Sequence, residues 1–494
     1  MRRAALCAAA ALLAAPARAA PVSQVFLVQN SGWMEPFFSD PASQYKALVA
    51  EVVLAAARPG DALLLAAFNQ SLPGAPSPRA LLAETVARDT QRAHVTAALN
   101  GLDTAQKPGG AALADTDLGE AVGAAIGTAL NHRAGLVWLF TNNKNSPNND
   151  QATARRNRDF YQLIHQGADI TKALAFPLRM PVKGARYSAN GLMVYVFAIH
   201  AEGARELDAL LRSGRLQKVI TEAPARLKPL DQDTVTLAPT KVEDAPGVAF
   251  SMGADGMLRA DVQADARAPT AKIHWRLVNA MYPYTIVSAS LAARSVLAGE
   301  DRPIALGVER VSALAPGASL PLASLMQLPV ARLPGKWSGA AIAAAGSAVV
   351  LLGSIEVRLG EQRLELSQGF RQRMAALFPG DPLPDIFTPP SQVQGSRALL
   401  PIEVRVHYGM APLLALIGAG FALLGALAAL AVGLTRGRTV LLTVEGELRT
   451  VSTRAGMRQP IFDQAGRRVA ELHTTLFGHT LTDLREGAQV RLGR

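Results

Sequence analysis

The sequence predicts an α/β N-terminal domain with a doubly wound sheet, followed by a β-sandwich region, one transmembrane helix and a small β-rich C-terminal domain. Three observations carry this expectation. Uninterrupted apolar runs alternate with stretches of helical spacing over residues 21–225, the pattern of strands buried on both faces of an α/β sheet. Short alternating segments punctuated by Pro, Gly and Ser fill residues 226–410, the pattern of one or two immunoglobulin-like sandwiches. Residues 411–434 hold no charge at all, and Arg436 and Arg438 follow at once.

Within the first region, Val25-Phe26-Leu27-Val28 reads as a central parallel strand and Ser43 to Ala57 as a helix closed by Arg58-Pro59-Gly60. Asp61 to Phe68 is the next strand, Gln91 to Leu99 and Leu118 to Leu130 are helices, and Gly135 to Thr141 is another buried strand. Gln151 to His165, Ile170 to Phe176, Gly191 to Ile199 and Ala204 to Leu211 continue the alternation. An open sheet of this kind presents its binding crevice at the carboxyl ends of its strands.

Three loops are expected at those ends: Gln29-Asn30-Ser31-Gly32-Trp33-Met34, Thr116-Asp117-Leu118-Gly119-Glu120-Ala121 and Thr141-Asn142-Asn143. In order, spacing and context they resemble a von Willebrand factor A (VWA) domain, whose Asp-x-Ser-x-Ser loop, distant Thr and distant Asp build a metal-ion-dependent adhesion site. The resemblance covers residues 21–220 and implies a binding face made of Gln29, Ser31, Trp33, Thr116 and Asn142. Gln29 stands in the place of the family's first Asp, Trp33 in that of its second Ser and Asn142 in that of its last Asp. Both carboxylates are amides here. A hard cation such as Mg²⁺ favours oxygen ligands that include carboxylates, so the expectation is a degenerate site with no cofactor, or only weak Mg²⁺. Ser31, Thr116, Glu35 and Asp117 are the fallback ligands. The apolar loop Trp33, Met34, Pro36, Phe37 and Phe38 reads either as an interface anchor or as a lid over the sheet's end. The run Asn142 to Asn149 reads as a solvated loop, with a polar recognition role as the alternative.

Residues 1–20 read as a secretory signal: Arg2 and Arg3, an apolar stretch from Leu6 to Ala15, then small residues to Ala20. Cys7 is the sole cysteine and lies within it, so the mature chain would have neither disulfides nor a thiol nucleophile. Strands are expected at 234–237, 258–262, 272–277, 285–291, 355–359 and 402–406, with a turn at Leu314-Ala315-Pro316-Gly317. The uncharged segment Ser338 to Gly353 is read as buried strand rather than a second span. The transmembrane helix is placed at 411–435, with Gly425, Ala429 and Gly433 as small-residue positions for a homodimer. Residues 436–494 form the small domain, with strands at 440–444, 468–472 and 490–492. Signal plus stop-transfer helix places the protein in a bacterial inner membrane, single-pass, with residues 21–410 periplasmic and the C-terminus cytoplasmic.

The net charge of +11 is spread over the whole chain, with no basic stripe interleaved with aromatics, which argues against nucleic acid. No His-Glu-x-x-His, Gly-x-Ser-x-Gly or phosphate-binding loop occurs. Ser43 to Lys46 fits Ser-x-x-Lys without a Lys-Thr-Gly partner. The expected function is a non-enzymatic, membrane-anchored module binding an envelope protein; the alternative is a membrane-anchored hydrolase using Ser43 and Lys46.

Overall fold

A computed structural model describes residues 22–87, 91–145, 151–228, 234–243, 247–263, 270–297, 299–327, 335, 337–381, 386–389 and 395–493. The expected signal at 1–20 lies outside the described residues, as do Ser146 to Asn149. The chain divides into two compact units: Met1–Ala260 with Ala268–Pro329 and Leu351–Val404, and Asp261–Arg267 with Val330–Val350 and Arg405–Arg494.

The first half of the larger unit is α/β. Its elements are β1 (Ser23–Gln29), α1 (Glu35–Ser39), α2 (Tyr45–Ala56), β2 (Ala62–Phe68), β3 (Arg79–Thr85), α3 (Gln91–Asn100), α4 (Leu118–Ala124), β4 (Gly135–Thr141), α5 (Gln151–Gln166), β5 (Ile170–Lys183), β6 (Ser188–Ile199), α6 (His200–Arg212) and β7 (Ala225–Arg226). The strands form one seven-stranded sheet in the order β3-β2-β1-β4-β6-β5-β7. β1 runs parallel to both β2 and β4, while β3, β6 and β7 pair antiparallel with their neighbours. The sheet is therefore mixed: its parallel centre is β2-β1-β4, and β6 stands between β4 and β5.

Apolar strands form this sheet because both faces are covered. Phe26 and Val28 join Val49, Val53, Val95 and Leu207 in one core. Val25 and Leu27 join Leu118, Phe160 and Ile164 in the other. Helices α2, α3 and α6 thus cover one face, and α4 and α5 the other. The second face is completed from a distant part of the sequence, by Phe370, Met374 and Leu377 on a later helix with Phe378, Ile386 and Phe387.

The second half of this unit is all-β apart from that helix. The strands are β8 (Val235–Glu243), β9 (Val248–Met252), β10 (Leu258–Gln263), β11 (Thr270–Asn279), β12 (Tyr284–Leu297), β13 (Glu300–Leu306), β14 (Arg310–Leu314), β15 (Ser319–Gln327), β16 (Ala348–Leu366) and β17 (Ser396–His407). Two separate sandwiches are not what they form. They make one ten-stranded sheet, β8-β11-β15-β13-β12-β16-β17-β10-β9, with β14 on β12. Its edge strands β8 and β9 line a single cavity of about 320 Å³, so the sheet is nearly closed. The strand that joins its halves is β13, which pairs with both β12 and β15. Leu314 to Gly317 is a turn as expected, closed by the Ala318 N–H on the Ala315 carbonyl, with Gly317 at φ 75°.

Ser338 to Gly353 departs from the buried strand expected of it. It opens with the short helix α7 (Gly339–Ala343) and enters β16 at Ala348, where Val350 and Leu352 are exposed. Between β16 and β17 lies α8 (Gln368–Leu377).

In the smaller unit, α9 (Ala411–Thr435) has a mean hydropathy of 2.4 and is long and apolar enough to cross a membrane. Its 25 residues rise about 37 Å, against a hydrocarbon core of about 30 Å. After it come β18 (Arg438–Val444), β19 (Glu447–Thr453), β20 (Arg458–Phe462), β21 (Arg468–Thr474), β22 (His479–Thr482) and β23 (Val490–Leu492). They form two three-stranded sheets, β19-β18-β23 and β20-β21-β22, around Leu442, Ile461, Leu472 and Val490.

Candidate functional site

The parallel pairing of β1 with β2 and β4 brings Gln29, Phe68 and Thr141 to one end of the sheet. The loops that follow converge there. The Gly32 N–H donates to the Ala114 carbonyl at 2.8 Å, joining the first loop to the segment that leads into α4. A Cβ at Gly32 would lie 2.6 Å from Leu113 Cβ, so this approach requires glycine. Asn145 completes the junction, its carbonyl accepting from the Thr116 N–H and its side chain accepting from the Leu118 N–H.

The structure brings Gln29, Ser31, Thr116 and Asn142 together in one buried network. Gln29 Nε2 donates to Ser31 Oγ at 2.7 Å and to Thr116 Oγ1 at 2.9 Å. Thr116 Oγ1 in turn donates to Ser31 Oγ at 2.6 Å. The other end of the amide is fixed by an obligate donor, since the Asn142 N–H meets Gln29 Oε1 at 3.1 Å. Gln29, Ser31 and Thr116 are wholly shielded from water. Tyr45 supports the strand end from below, donating to the Gln29 carbonyl at 2.9 Å.

These residues do not fit a divalent cation. A cation would need acceptors converging on a shared point. Here a side-chain NH₂ group occupies the space between the two hydroxyls, and both of its hydrogens are used. The fallback carboxylates have other partners: Asp117 accepts from the Glu120 N–H at the start of α4 and pairs with Arg156 at 3.4 Å. Glu35 Oε1 accepts from the Ser39 hydroxyl and the Ala185 N–H, while its Oε2 is buried without a hydrogen-bond partner among the described residues.

The apolar loop divides between the two roles the sequence allowed. Met34 and Phe37 fold down into the core, and Phe38 packs edge-on against Tyr45. Trp33, half-exposed, lies in a cleft. Tyr187 meets its ring edge-on at a centroid distance of 5.0 Å, and the Lys144 ammonium lies 4.6 Å above its face. The cleft, about 50 Å³, is also lined by Asn142, Asn190 and Phe378. Trp33 Nε1 is buried and has no hydrogen-bond partner among the described residues. Asn142 Nδ2 donates to the Trp33 carbonyl at 2.6 Å, which locks the loop that carries the indole.

The asparagine run is not a solvated loop over its described part. Asn142, Asn143 and Asn145 are buried. Asn143 adopts φ 68°, a left-handed conformation that asparagine tolerates, and its amide is held between Tyr195 and Asp381. Burial drives the Tyr195 hydroxyl far above its ordinary range, and the Asp381 carboxylate adds to the shift. The sequence reading missed Tyr187, Tyr195 and Asp381. The doubled Asn142-Asn143 hinted at a special backbone, but nothing local marks Asp381, which comes from 238 residues further on.

Ser43 and Lys46 do not form a nucleophile–base pair. The Ser43 hydroxyl donates to the Phe37 carbonyl at 2.7 Å and accepts from the Tyr45 N–H. Lys46 donates to the Asn100 carbonyl. Compared with known proteins, the chain matches no family model, and no curated protein is significantly similar to it.

Proposed function

We propose that the chain is a membrane-anchored interaction module whose α/β domain is VWA-like and binds a protein partner without a metal ion. The carrying observation is the cleft around Trp33, a half-exposed indole ring between Tyr187 and Lys144 at a strand-end face whose polar centre is internally satisfied. A small cleft with aromatic walls and a cation suits one side chain of an extended segment. The β2-β1-β4 parallel centre and the convergence of Ser31 and Thr116 support the VWA-like reading, and the insertion of β6 beside β4 is a departure from it. Export, a periplasmic placement for residues 21–410 and a cytoplasmic tail belong to the same proposal, as does an envelope protein as partner.

The test is Trp33→Ala, read by thermal unfolding and by recovery of crosslinked partners from membranes through a photoreactive residue at the exposed Asn190. The expected outcome is a small change in melting temperature with loss of the crosslinked species. An interfacial Trp costs about 2 kcal/mol or more on truncation, enough to lower recovery by more than tenfold. Unchanged recovery would refute the interface.

A further inference from the structure

The small C-terminal domain carries an exposed apolar tip at the end where the long helix enters it. β18 begins at Arg438, three residues after α9 ends at Thr435, a separation of at most about 11 Å at about 3.6 Å per residue. Arg438 pairs with Thr453 at the end of β19, and Thr453 Oγ1 is 2.9 Å from Thr474 Oγ1 at the end of β21. The Arg438 guanidinium donates to the Leu476 carbonyl at 3.2 Å. Two turns therefore crown this end. One is closed by the Met457 N–H on the Arg454 carbonyl, the other by the Thr475 N–H on the Gly478 carbonyl. Phe477, at the crest of the second, is 99% exposed, and Leu476 and Met457 are exposed beside it. None of the three joins the core around Leu442 and Leu472. Arg436 and Arg454 are exposed at the same end.

We infer that this tip inserts into the interfacial layer of the membrane that α9 crosses, with Phe477 and Leu476 among the lipid chains' upper segments and Arg436, Arg438 and Arg454 against lipid phosphates. The inference rests on reading α9 as a membrane span. The headgroup layer on each side is about 5–7 Å deep, and the short link from Thr435 to Arg438 allows the tip to reach it. Aromatic side chains favour that layer, and basic juxtamembrane residues are drawn to anionic headgroups. An apolar crest ringed by arginines matches both halves of the interface. The tip would thereby fix the tilt of the small domain on the bilayer.

The experiment uses the full chain with Cys7 replaced by Ser, reconstituted in phosphatidylcholine–phosphatidylglycerol vesicles. A polarity-sensitive fluorophore is placed in turn at Leu423→Cys, Phe477→Cys and Gln464→Cys, with nitroxide-labelled lipids as quenchers. Leu423 is at mid-helix. Gln464 lies in the turn at the opposite end of β21, about 20 Å from the tip. The expected result is quenching of 423 by deep nitroxides, quenching and a blue shift of 477 with shallow nitroxides, and neither at 464. Quenching at 423 with a water-like, unquenched 477 overturns the inference and leaves the tip for a protein partner. An unquenched 423 refutes the span and the inference with it.

Discussion

At Gln29 an amide nitrogen sits between two hydroxyl oxygens and satisfies them by hydrogen bonding, where a cation would satisfy them by charge. The assignment follows from chemistry: the Asn142 N–H is always a donor, so the oxygen of the amide must face it and the nitrogen must face Ser31 and Thr116. Removing this amide strands buried partners at about 1–3 kcal/mol each. The triple change Gln29→Asp, Trp33→Ser, Asn142→Asp exchanges the donors for carboxylates and a hydroxyl. We expect the variant to gain a melting-temperature increase with millimolar Mg²⁺ or Mn²⁺, read by calorimetry, while the unmodified chain shows none. A comparable increase for the unmodified chain would show that the donor-filled pocket rearranges around metal.

Among the elements, α8 and the residues after it behave as a part of the α/β domain that the sequence places far away. Phe370, Met374, Leu377, Phe378, Ile386 and Phe387 fill the core beside Phe160 and Ile164, and each such side chain contributes about 1.5–3 kcal/mol when buried. A fragment of residues 21–225 should consequently unfold at a markedly lower temperature than one of residues 21–410, or aggregate. Equal melting temperatures would disprove the role of α8. His165 adds a pH dependence to the same junction, its Nε2–H donating to the Ile386 carbonyl at 3.0 Å. Burial pushes this imidazole below its ordinary value; the hydrogen bond opposes the shift, and the Lys228 ammonium adds to it. A histidine with a depressed value binds fewer protons folded than unfolded, so its share of stability is present above about pH 6.5 and is lost as pH falls through that window. Proteolysis at residues 386–389 should accelerate between about pH 7 and about pH 5, and His165→Gln should flatten the change. Identical pH profiles for the two proteins would rule His165 out.

For the whole molecule, the proposed topology makes a direct prediction. If α9 spans a membrane as proposed, Arg436 and Arg438 at its end predict a cytoplasmic small domain. A reporter active only outside the cytoplasm should work when fused after residue 405 and fail at the C-terminus. Activity at both positions would overturn the single-span arrangement and bring back Ser338 to Gly353 as a candidate second span, despite its short helix and exposed strand.

Local sequence determined most of the elements, because buried strands and amphipathic helices are written in runs of neighbouring residues. Val25 to Val28, Gly135 to Thr141 and Ala411 to Thr435 are legible for that reason. So was the convergence of Gln29, Ser31, Thr116 and Asn142, since parallel strands carry their loops to a common end. Tertiary structure alone decided what depends on pairing between distant segments. It placed β6 between β4 and β5, and merged the expected sandwiches into one nearly closed sheet through β13. It sent Met34 and Phe37 inward while leaving Trp33 in a cleft with Tyr187 and Lys144. It also carried Asp381 to Asn143 across 238 residues. No local pattern encodes such a contact, because the free energy that fixes it is gained only once both partners have left water together.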